Sequence, residues 1–223
     1  LVHRSELDRH ETRFAVQMLR DQIGQPVWPV HRLDRGTSGV LLFALDRDTL
    51  AAASHAFEND AVAKEYLAVV RGWPAENGTI DHPLTRQYDA YERRPDAPSE
   101  AQRALTRFAR LATVELPLAV DRYPSSRYAL LELEPATGRQ HQLRRHLKHI
   151  AHPIIGDATY GKGKHNRFFA QHFACPRLLL ACTQLSFDHP VSGQRQTENA
   201  PVSGDFAALL ERFGWSAAVA ADQ

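Results

Sequence analysis

The chain has 223 residues, a formal net charge of +1 and 43% hydrophobic residues, a composition typical of a soluble globular protein. This length allows one large domain or two small ones, and we expect a single domain over residues 1–223. No apolar run reaches the length of a membrane span and no signal peptide opens the chain, which favours a cytoplasmic protein with no membrane partner. The only cysteines, Cys175 and Cys182, lack a CxxC pattern and are expected to be reduced core residues.

Basic residues are concentrated in one part of the chain. Between Pro135 and Phe187 there are eight lysines and arginines but only one acid, Asp157. Six of the twelve histidines lie in the same segment. This asymmetry is typical of a surface that binds a polyanion, but a solvated basic face without a partner gives the same pattern. Charge alone leaves both interpretations open.

The first half of the chain alternates helical and extended patterns. Apolar periodicity predicts a helix, a strand, a helix and a strand over residues 12–23, 39–45, 49–57 and 64–73. Phe14 and Met18 are expected on the inner face of the first helix. The run at 39–45 is almost continuously apolar, as in a strand buried on both faces. Asp46 or Asp48 is expected to cap the second helix, and the Asn77-Gly78 pair predicts a turn before a further strand.

The second half begins with a polar stretch at residues 81–102, which we interpret as an exposed insertion. Thr137 and Gln140 have the spacing of a capping box, and the helix after them would bury Leu143, Leu147 and Ile150. Unevenly placed helices among strands favour an α+β fold over a regular βαβ succession. The remaining predicted elements are strands at 104–114, 127–133 and 178–187, a turn at 189–193 and a helix at 206–213.

The stretch His31-Arg-Leu-Asp-Arg-Gly-Thr-Ser-Gly39 is the most informative for chemistry. It places the carboxylate of Asp34 between two arginines, in a glycine-containing turn before an apolar run. A strand would anchor such a loop, and a nearby guanidinium favours the charged, nucleophilic carboxylate. In isolation, however, the motif is better explained as a structural ion pair, because such pairs are far commoner than catalytic ones.

Four segments together resemble a known family. Residues 31–39 resemble the signature of pseudouridine synthases that act on ribosomal and transfer RNA, often called the RluA type. Three further segments resemble that family in the same order, namely Lys64-Glu-Tyr66, Thr137-Gly-Arg-Gln-His-Gln-Leu-Arg144 and Pro153-Ile-Ile-Gly-Asp157. Because four ordered matches are far more specific than one, they favour a catalytic Asp34. The resemblance implies a pseudouridine synthase fold, with a mostly antiparallel mixed sheet, flanking helices and a central RNA-binding cleft.

The resemblance also implies roles for individual residues. Asp34 would be the catalytic aspartate, and Tyr66 would stack on the target base and help to remove its C5 proton. Arg139 would pair with Asp34 and hold it in place. Arg32, which would fill the space left by the flipped base, and Leu143, beneath the base, are expected to bind substrate. His31 and Arg144, within the matching motifs, are placed in the same substrate-binding set.

These roles agree with elementary physical chemistry. A stacked base cannot be attacked, so it must leave the helix at a cost of a few kcal/mol. An aromatic face recovers about 1–3 kcal/mol of that cost. The isomerisation needs no metal, redox group or nucleotide cofactor, so none is expected.

Further stretches are similar to the branch of this family that modifies uridine 65 of tRNA, which makes tRNA the expected partner. They lie at residues 1–5, 20–25, 111–117, 122–124, 141–156 and 212–215. There are two departures. A Lys-Pro-containing strand and loop that usually precedes Val2-His3 is missing, and we expect the natural N-terminus to lie upstream of Leu1. Gly36 stands where this branch tends to have proline.

Three alternatives remain. Ribosomal RNA could be the substrate of the same reaction, or the chain could bind RNA without catalysis, although binding alone would not require Asp34, Tyr66 and Arg139. A metal site built from histidines 141, 146, 149 and 152 lacks a recognisable ligand pattern in an arginine-rich segment. We expect no metal, no protein partner and a monomer.

Overall fold

The computed structural model describes residues 12–87 and 99–220. The first branch-specific stretch, at residues 1–5, lies outside these ranges, as do residues 88–98 of the predicted insertion. The helices are α1 (Ala15–Ile23), α2 (Arg47–Glu58), α3 (Gln142–His149), α4 (Gly163–His172), α5 (Gly204–Arg212) and α6 (Ser216–Ala220). The strands are β1 (Trp28–Pro29), β2 (Ser38–Gly39), β3 (Phe43–Ala44), β4 (Ala63–Arg71), β5 (Asn77–Asp81), β6 (Leu105–Leu116), β7 (Ser126–Pro135), β8 (Leu180–Asp188) and β9 (Arg195–Asn199).

A seven-stranded mixed sheet organises the chain. Its strands follow the order β2-β8-β4-β7-β6-β5, and β9 pairs with β8. Only β2 and β8 are parallel, and the other pairs are antiparallel. Strands β1 and β3 form a small separate sheet. The α+β class predicted from the sequence is therefore confirmed.

The sheet has an apolar core on each face, because successive residues of a strand point to opposite sides. Leu67 and Val69 of β4 belong to the core that includes α4, α5 and Trp215. Ala68 and Val70 belong to the opposite core, which is covered by α3. Within the described residues, no helix combines the length and the apolar character needed to cross a membrane.

Helix α3 buries the face that its sequence predicts. Leu143 and Leu147 are buried, and Ile150 packs against the same core. The predicted capping box is wrong, however. The helix begins at Gln142, after His141 in the left-handed region at φ 53°, and no side chain caps it. Thr137 instead donates its hydroxyl hydrogen to the Gln142 side chain at 2.7 Å.

The apolar run at residues 39–45 does not form the single buried strand that was predicted. Only the pairs Ser38–Gly39 and Phe43–Ala44 form strands, and they belong to different sheets. Gly39 has φ 116°, and a Cβ built on it would lie 1.9 Å from the carbonyl oxygen of Cys182. Because a positive φ cannot continue a regular strand, the chain leaves the large sheet just after this contact.

Three smaller predictions had mixed outcomes. Phe14 is buried as expected, but Met18 on α1 is 48% exposed. Asp46 is confirmed as the cap of α2, since it accepts the Thr49 backbone N–H at 2.7 Å. The Asn77-Gly78 pair is not a turn but the start of β5.

Candidate active site

A cavity of about 490 Å³ opens beside Asp34, between the loop at residues 30–37, α2, the start of β4 and the segment at 135–143. We call it the active-site cavity. It brings together most of the residues singled out in the sequence. Its lining includes His31, Arg32, Asp34, Tyr66, Arg139 and Leu143.

The loop that carries Asp34 is fixed to the large sheet. The Asp34 carbonyl accepts the backbone N–H of Thr37 at 2.9 Å, which closes a turn. Arg177 donates to the Ser38 hydroxyl at 2.7 Å, and the backbone of Gly39 lies against β8. Gly36 has φ 88°, a conformation that proline cannot adopt. The glycine at this departure from the related branch is thus required by the loop as it is folded here.

The Asp34 carboxylate contacts a guanidinium that is itself anchored by a buried acid. Arg144 Nη1 lies 3.4 Å from Asp34 Oδ2. The same guanidinium donates to both carboxylate oxygens of Asp157, at 2.7 and 3.0 Å. Asp157 also accepts the backbone N–H groups of Thr159 and Tyr160. Arg144 is therefore a rigid bridge between a fully enclosed acid and the acid at the cavity.

The ionisation of the Arg144–Asp157 pair follows from these contacts. Burial opposes charge on Arg144, but the hydrogen bonds and charge of Asp157, together with Asp34, outweigh it and raise the pKa of Arg144. Burial likewise opposes charge on Asp157, yet the Arg144 hydrogen bonds and the Tyr160 N–H leave its pKa lowered. Both groups are thus charged at neutral pH.

The expected ion pair between Arg139 and Asp34 is wrong. Arg139 Nη2 lies 3.6 Å from Asp60, and its Nε donates to the Arg103 carbonyl at 3.2 Å. Arg139 lines the active-site cavity, but it approaches from the side of Asp60. Arg144, which the sequence placed only in the substrate-binding set, holds Asp34 instead.

Tyr66 and Leu143 form an apolar part of the active-site cavity. Tyr66 is half-buried on β4 and packs against the same core as Leu143. Burial, with a smaller contribution from Cys182, raises the pKa of the Tyr66 phenol well above its ordinary value of 10.0. The ring therefore offers a neutral hydroxyl group and an aromatic face.

Lys64 is a cavity residue that the sequence reasoning missed. Two positions before Tyr66 on β4, it faces the same side of the sheet, which is the signal that could have identified it. Its side chain is buried, and its Nζ lies 5.9 Å from the centroid of the Phe57 ring. Burial lowers the pKa of Lys64, while the charge of Asp60 opposes that shift.

His31 and Arg32 differ in what they offer to a ligand. The Nε2 of His31 accepts the Leu42 backbone N–H at 3.1 Å, and its ring stacks on Phe57. Burial, with the charge of Lys64, lowers the pKa of His31 to about 4, so the imidazole is neutral at pH 7. Arg32 is exposed at the edge of the cavity and can reach a large ligand.

The histidines of the metal alternative each have their own partners. His146 contacts Thr106 and the His82 carbonyl, and His152 donates to the Arg71 carbonyl at 2.9 Å. His141 lies 3.0 Å from the Tyr160 hydroxyl, and His149 stacks on His82. In residues 12–87 and 99–220, no three His, Cys, Asp or Glu side chains are grouped in a way that could hold a metal ion.

Comparisons with known proteins define the class of protein that this fold and site represent. A family model described as RNA pseudouridylate synthase matches residues 1–149. The tRNA pseudouridine synthase C of Vibrio vulnificus (strain CMCP6) is 48% identical over 216 residues, covering 96% of this chain and 88% of the relative. The Yersinia pestis protein of the same name is 48% identical over 217 residues, covering 97% of this chain and 84% of the relative.

Solved structures are similar as well. The human RNA pseudouridylate synthase domain containing 1 has a TM-score of 0.65 and 26% identity, and the match covers 85% of this chain and 74% of that one. Human RNA pseudouridylate synthase domain containing 4 has a TM-score of 0.65 and 25% identity, and the match covers 89% of this chain and 80% of that one. The chain belongs to the RNA pseudouridylate synthase family. The family and fold expected from its sequence motifs are both confirmed.

Proposed function

We propose that this protein isomerises uridine to pseudouridine in tRNA, at position 65, with Asp34 as the catalytic carboxylate. The observation that carries the proposal is the placement of Asp34 beside Tyr66 and Leu143 in one cavity, with its carboxylate bound by Arg144. The relatives named tRNA pseudouridine synthase C support tRNA as the substrate. The stretches at residues 111–117, 122–124 and 212–215 support position 65.

The reaction proceeds on a uridine that has left its helix. The base enters the active-site cavity between the Tyr66 ring and Leu143, and the exposed Arg32 fills the gap that it leaves in the RNA. Asp34 attacks the ribose or assists departure of the base, so that the bond between N1 and C1′ breaks. The uracil rotates and C5 bonds to C1′, which displaces the Asp34 oxygen if that oxygen has attacked C1′. C5 then loses its proton and N1 gains one. Atoms and electrons balance without a cofactor.

Each flanking group has a distinct task. Arg144 orients Asp34, because Asp157 fixes the guanidinium through two hydrogen bonds. Tyr66 acts as a neutral phenol near C5. Arg139 and Lys64 are further basic residues that line the active-site cavity, where they can contact the ribose phosphate of the target nucleotide.

The test is to map pseudouridines in RNA from cells that lack the protein and from cells complemented with it. We expect loss of pseudouridine at tRNA position 65 and its return on complementation. Loss at a ribosomal RNA site with tRNA unchanged would support the second candidate, ribosomal RNA. Purified protein that binds tRNA but forms no pseudouridine would support RNA binding without catalysis.

We further propose that the protein acts in the cytoplasm as a monomer without a protein partner, since one chain supplies every group used above. Sedimentation of the purified protein with and without tRNA tests this. A dimer at micromolar concentration would contradict it.

A further inference from the structure

A second cavity, of about 350 Å³, lies at the opposite end of the central strands from the active-site cavity. We call it the distal cavity. Tyr66 and Pro135 line the first cavity, whereas Arg71 and Arg127, on the same two strands, line the second. With a rise of about 3.3 Å per residue, the two cavities are roughly 20 Å apart. The chemistry proposed above uses nothing in the distal cavity.

Two arginines of the distal cavity are stacked on aromatic rings. The Arg122 guanidinium carbon lies 4.8 Å from the centroid of the Tyr123 ring, and that of Arg127 lies 4.4 Å from the Trp73 ring. Trp73 is fixed in turn, because its indole N–H donates to the Tyr128 carbonyl at 3.2 Å. A guanidinium held in this way keeps in-plane donors available for a planar or tetrahedral anion.

Asp121, which lines the distal cavity, and Glu115, which contacts its Arg127, already have basic partners. Asp121 Oδ1 lies 2.6 Å from Lys164 Nζ. Glu115 Oε2 lies 3.1 Å from Arg127 Nε. Each acid is therefore balanced by one cation, and any further cation in the cavity contributes a net positive charge.

Arg71 and Arg122 are those further cations. Neither forms an ion pair within 4.0 Å in the part of the chain that the structure describes. Arg71 donates from Nη2 to the Ala151 carbonyl at 3.3 Å, which leaves donors of the same guanidinium for a ligand.

The distal cavity also holds buried polar atoms that lack partners. His165 is 4% exposed, and its Nδ1 lies 2.9 Å from the Tyr128 hydroxyl. Among the described residues, no hydrogen-bond partner is present for His165 Nε2 or for Arg71 Nε. Unpaired buried polar atoms are uncommon in native proteins and indicate a site that a ligand or an ordered water completes. Stacked arginines, excess positive charge and the unpaired N–H donor at Arg71 Nε all point to an anionic ligand.

We propose that the distal cavity binds a phosphate group, and that this phosphate belongs to the backbone of the tRNA at a distance from the modified uridine. The inference rests on the proposed function, because it takes RNA to be the ligand of the active-site cavity. A separation of roughly 20 Å is spanned by several nucleotides of a helical RNA strand, so one tRNA can reach both cavities. The segment Arg122-Tyr123-Pro124, which has no role in catalysis, thereby gains one in positioning the RNA.

The test compares the Arg122→Ala and Arg195→Ala variants of the full chain. Both remove one exposed positive charge, but Arg195 lies on β9 and pairs with Asp188, away from either cavity. For full-length tRNA, we expect Arg122→Ala to weaken binding about tenfold and to reduce the salt slope of binding by about one. Arg195→Ala should change neither quantity. Equal effects of the two substitutions would overturn the proposal.

Two further experiments distinguish a phosphate of the tRNA backbone from a small phosphorylated ligand. A short hairpin that keeps the target uridine but cannot reach the distal cavity should bind wild type and Arg122→Ala equally. Inorganic phosphate is titrated in parallel and followed by ³¹P NMR. Phosphate binding that requires Arg122, combined with unchanged tRNA affinity, would overturn the assignment to RNA in favour of a small phosphorylated ligand.

Pseudouridine formation by wild-type protein, measured on the same tRNA, tests the proposed function separately. Arg195→Ala should form pseudouridine at the wild-type rate at every tRNA concentration. Arg122→Ala should need about tenfold more tRNA to reach half of its maximal rate, because it weakens binding at a site remote from the chemistry. An Arg122 effect on tRNA binding without any pseudouridine formation by the wild type would contradict the proposed function and still support the phosphate site.

Discussion

At the scale of single residues, the site depends on a chain of three charged groups. Asp157 is enclosed, Arg144 is 7% exposed and Asp34 lies at the cavity. The sequence allowed Asp34 and Tyr66 to be placed in one site, but it did not show which arginine contacts the acid. One signal was available. Asp157 is the only acid in a segment with eight lysines and arginines, which favours an ion pair between Asp157 and one of them.

Substitution of Arg144 by lysine tests the orienting role. Lysine keeps the charge but cannot donate to both oxygens of Asp157 while contacting Asp34. We expect a single-turnover rate about 100-fold lower, with tRNA affinity changed less than about threefold. Arg195→Lys is the matched control and should leave both quantities unchanged. A weaker affinity with a normal rate would instead mean that Arg144 binds RNA.

The raised pKa of Tyr66 gives a prediction for pH dependence. Because burial holds the pKa of its phenol well above 10.0, the group stays protonated as the pH rises from 7 to 10. We expect Tyr66→Phe to react about 100-fold more slowly at saturating tRNA, by a factor that is constant over this range. If the ratio of the wild-type rate to the Tyr66→Phe rate changed with an apparent pKa below 10, Tyr66 would not be neutral over this range and the prediction would be wrong.

His31 links stability to pH. Its pKa of about 4 lies below the value of 6.5 for an exposed histidine, so the unfolded chain binds the proton more readily. The contribution of the neutral His31 to the free energy of unfolding is therefore fully present above pH 6.5 and is lost as the pH drops from 6.5 towards 4. The loss is about 2 kcal/mol at pH 5. Glutamine can accept the Leu42 N–H without titrating. The free energy of unfolding, measured with urea, should therefore fall by about 2 kcal/mol less in His31→Gln than in wild type between pH 7.5 and pH 5. Equal decreases in the two proteins would contradict this account.

At the scale of helices and strands, periodic apolar patterns allowed the elements to be predicted. Close approaches between backbone segments could not be predicted, because no sequence pattern marks them. The long strands β4, β6, β7 and β8 and the buried face of α3 follow from alternation or helical spacing. Strand β9 was missed because all five of its residues are polar and it lies at the sheet edge. The run at residues 39–45 was misread because composition does not show that Gly39 lies against the Cys182 carbonyl.

Glycine at position 39 should therefore be indispensable to the catalytic loop. In Gly39→Ala, the new Cβ would lie 1.9 Å from a backbone oxygen, so the Asp34 loop must detach from β8. We expect a loss of more than about 3 kcal/mol in free energy of unfolding by urea. Gly193→Ala is the control, since Gly193 has φ 69° but open space around it, and it should cost only about 1 kcal/mol. Similar losses in free energy of unfolding for Gly39→Ala and Gly193→Ala would show that the positive φ, rather than the contact with Cys182, makes glycine necessary at position 39.

At the scale of the whole molecule, the central strands connect two cavities that the sequence suggested to different degrees. The active-site cavity was predictable, because three of the four motifs supply lining residues in chain order and the fourth supplies Asp157, which anchors Arg144. The distal cavity was not, since it joins the end of β4 to the β6–β7 connection and to α4, which are distant in sequence. The basic segment at residues 135–187 contributes to both ends, through Arg139 and Arg144 at one and His165 at the other.

The central claim is that Asp34 performs the chemistry, and Asp34→Asn tests it most directly because the variant keeps the shape and removes the charge. Asp188→Asn, at an exposed acid, is the control. Pseudouridine formation is measured in single turnover on tRNA, with tRNA affinity measured in parallel. We predict that Asp34→Asn binds tRNA within about twofold of wild type and reacts at least about 1,000-fold more slowly. Turnover within tenfold of wild type would contradict the account.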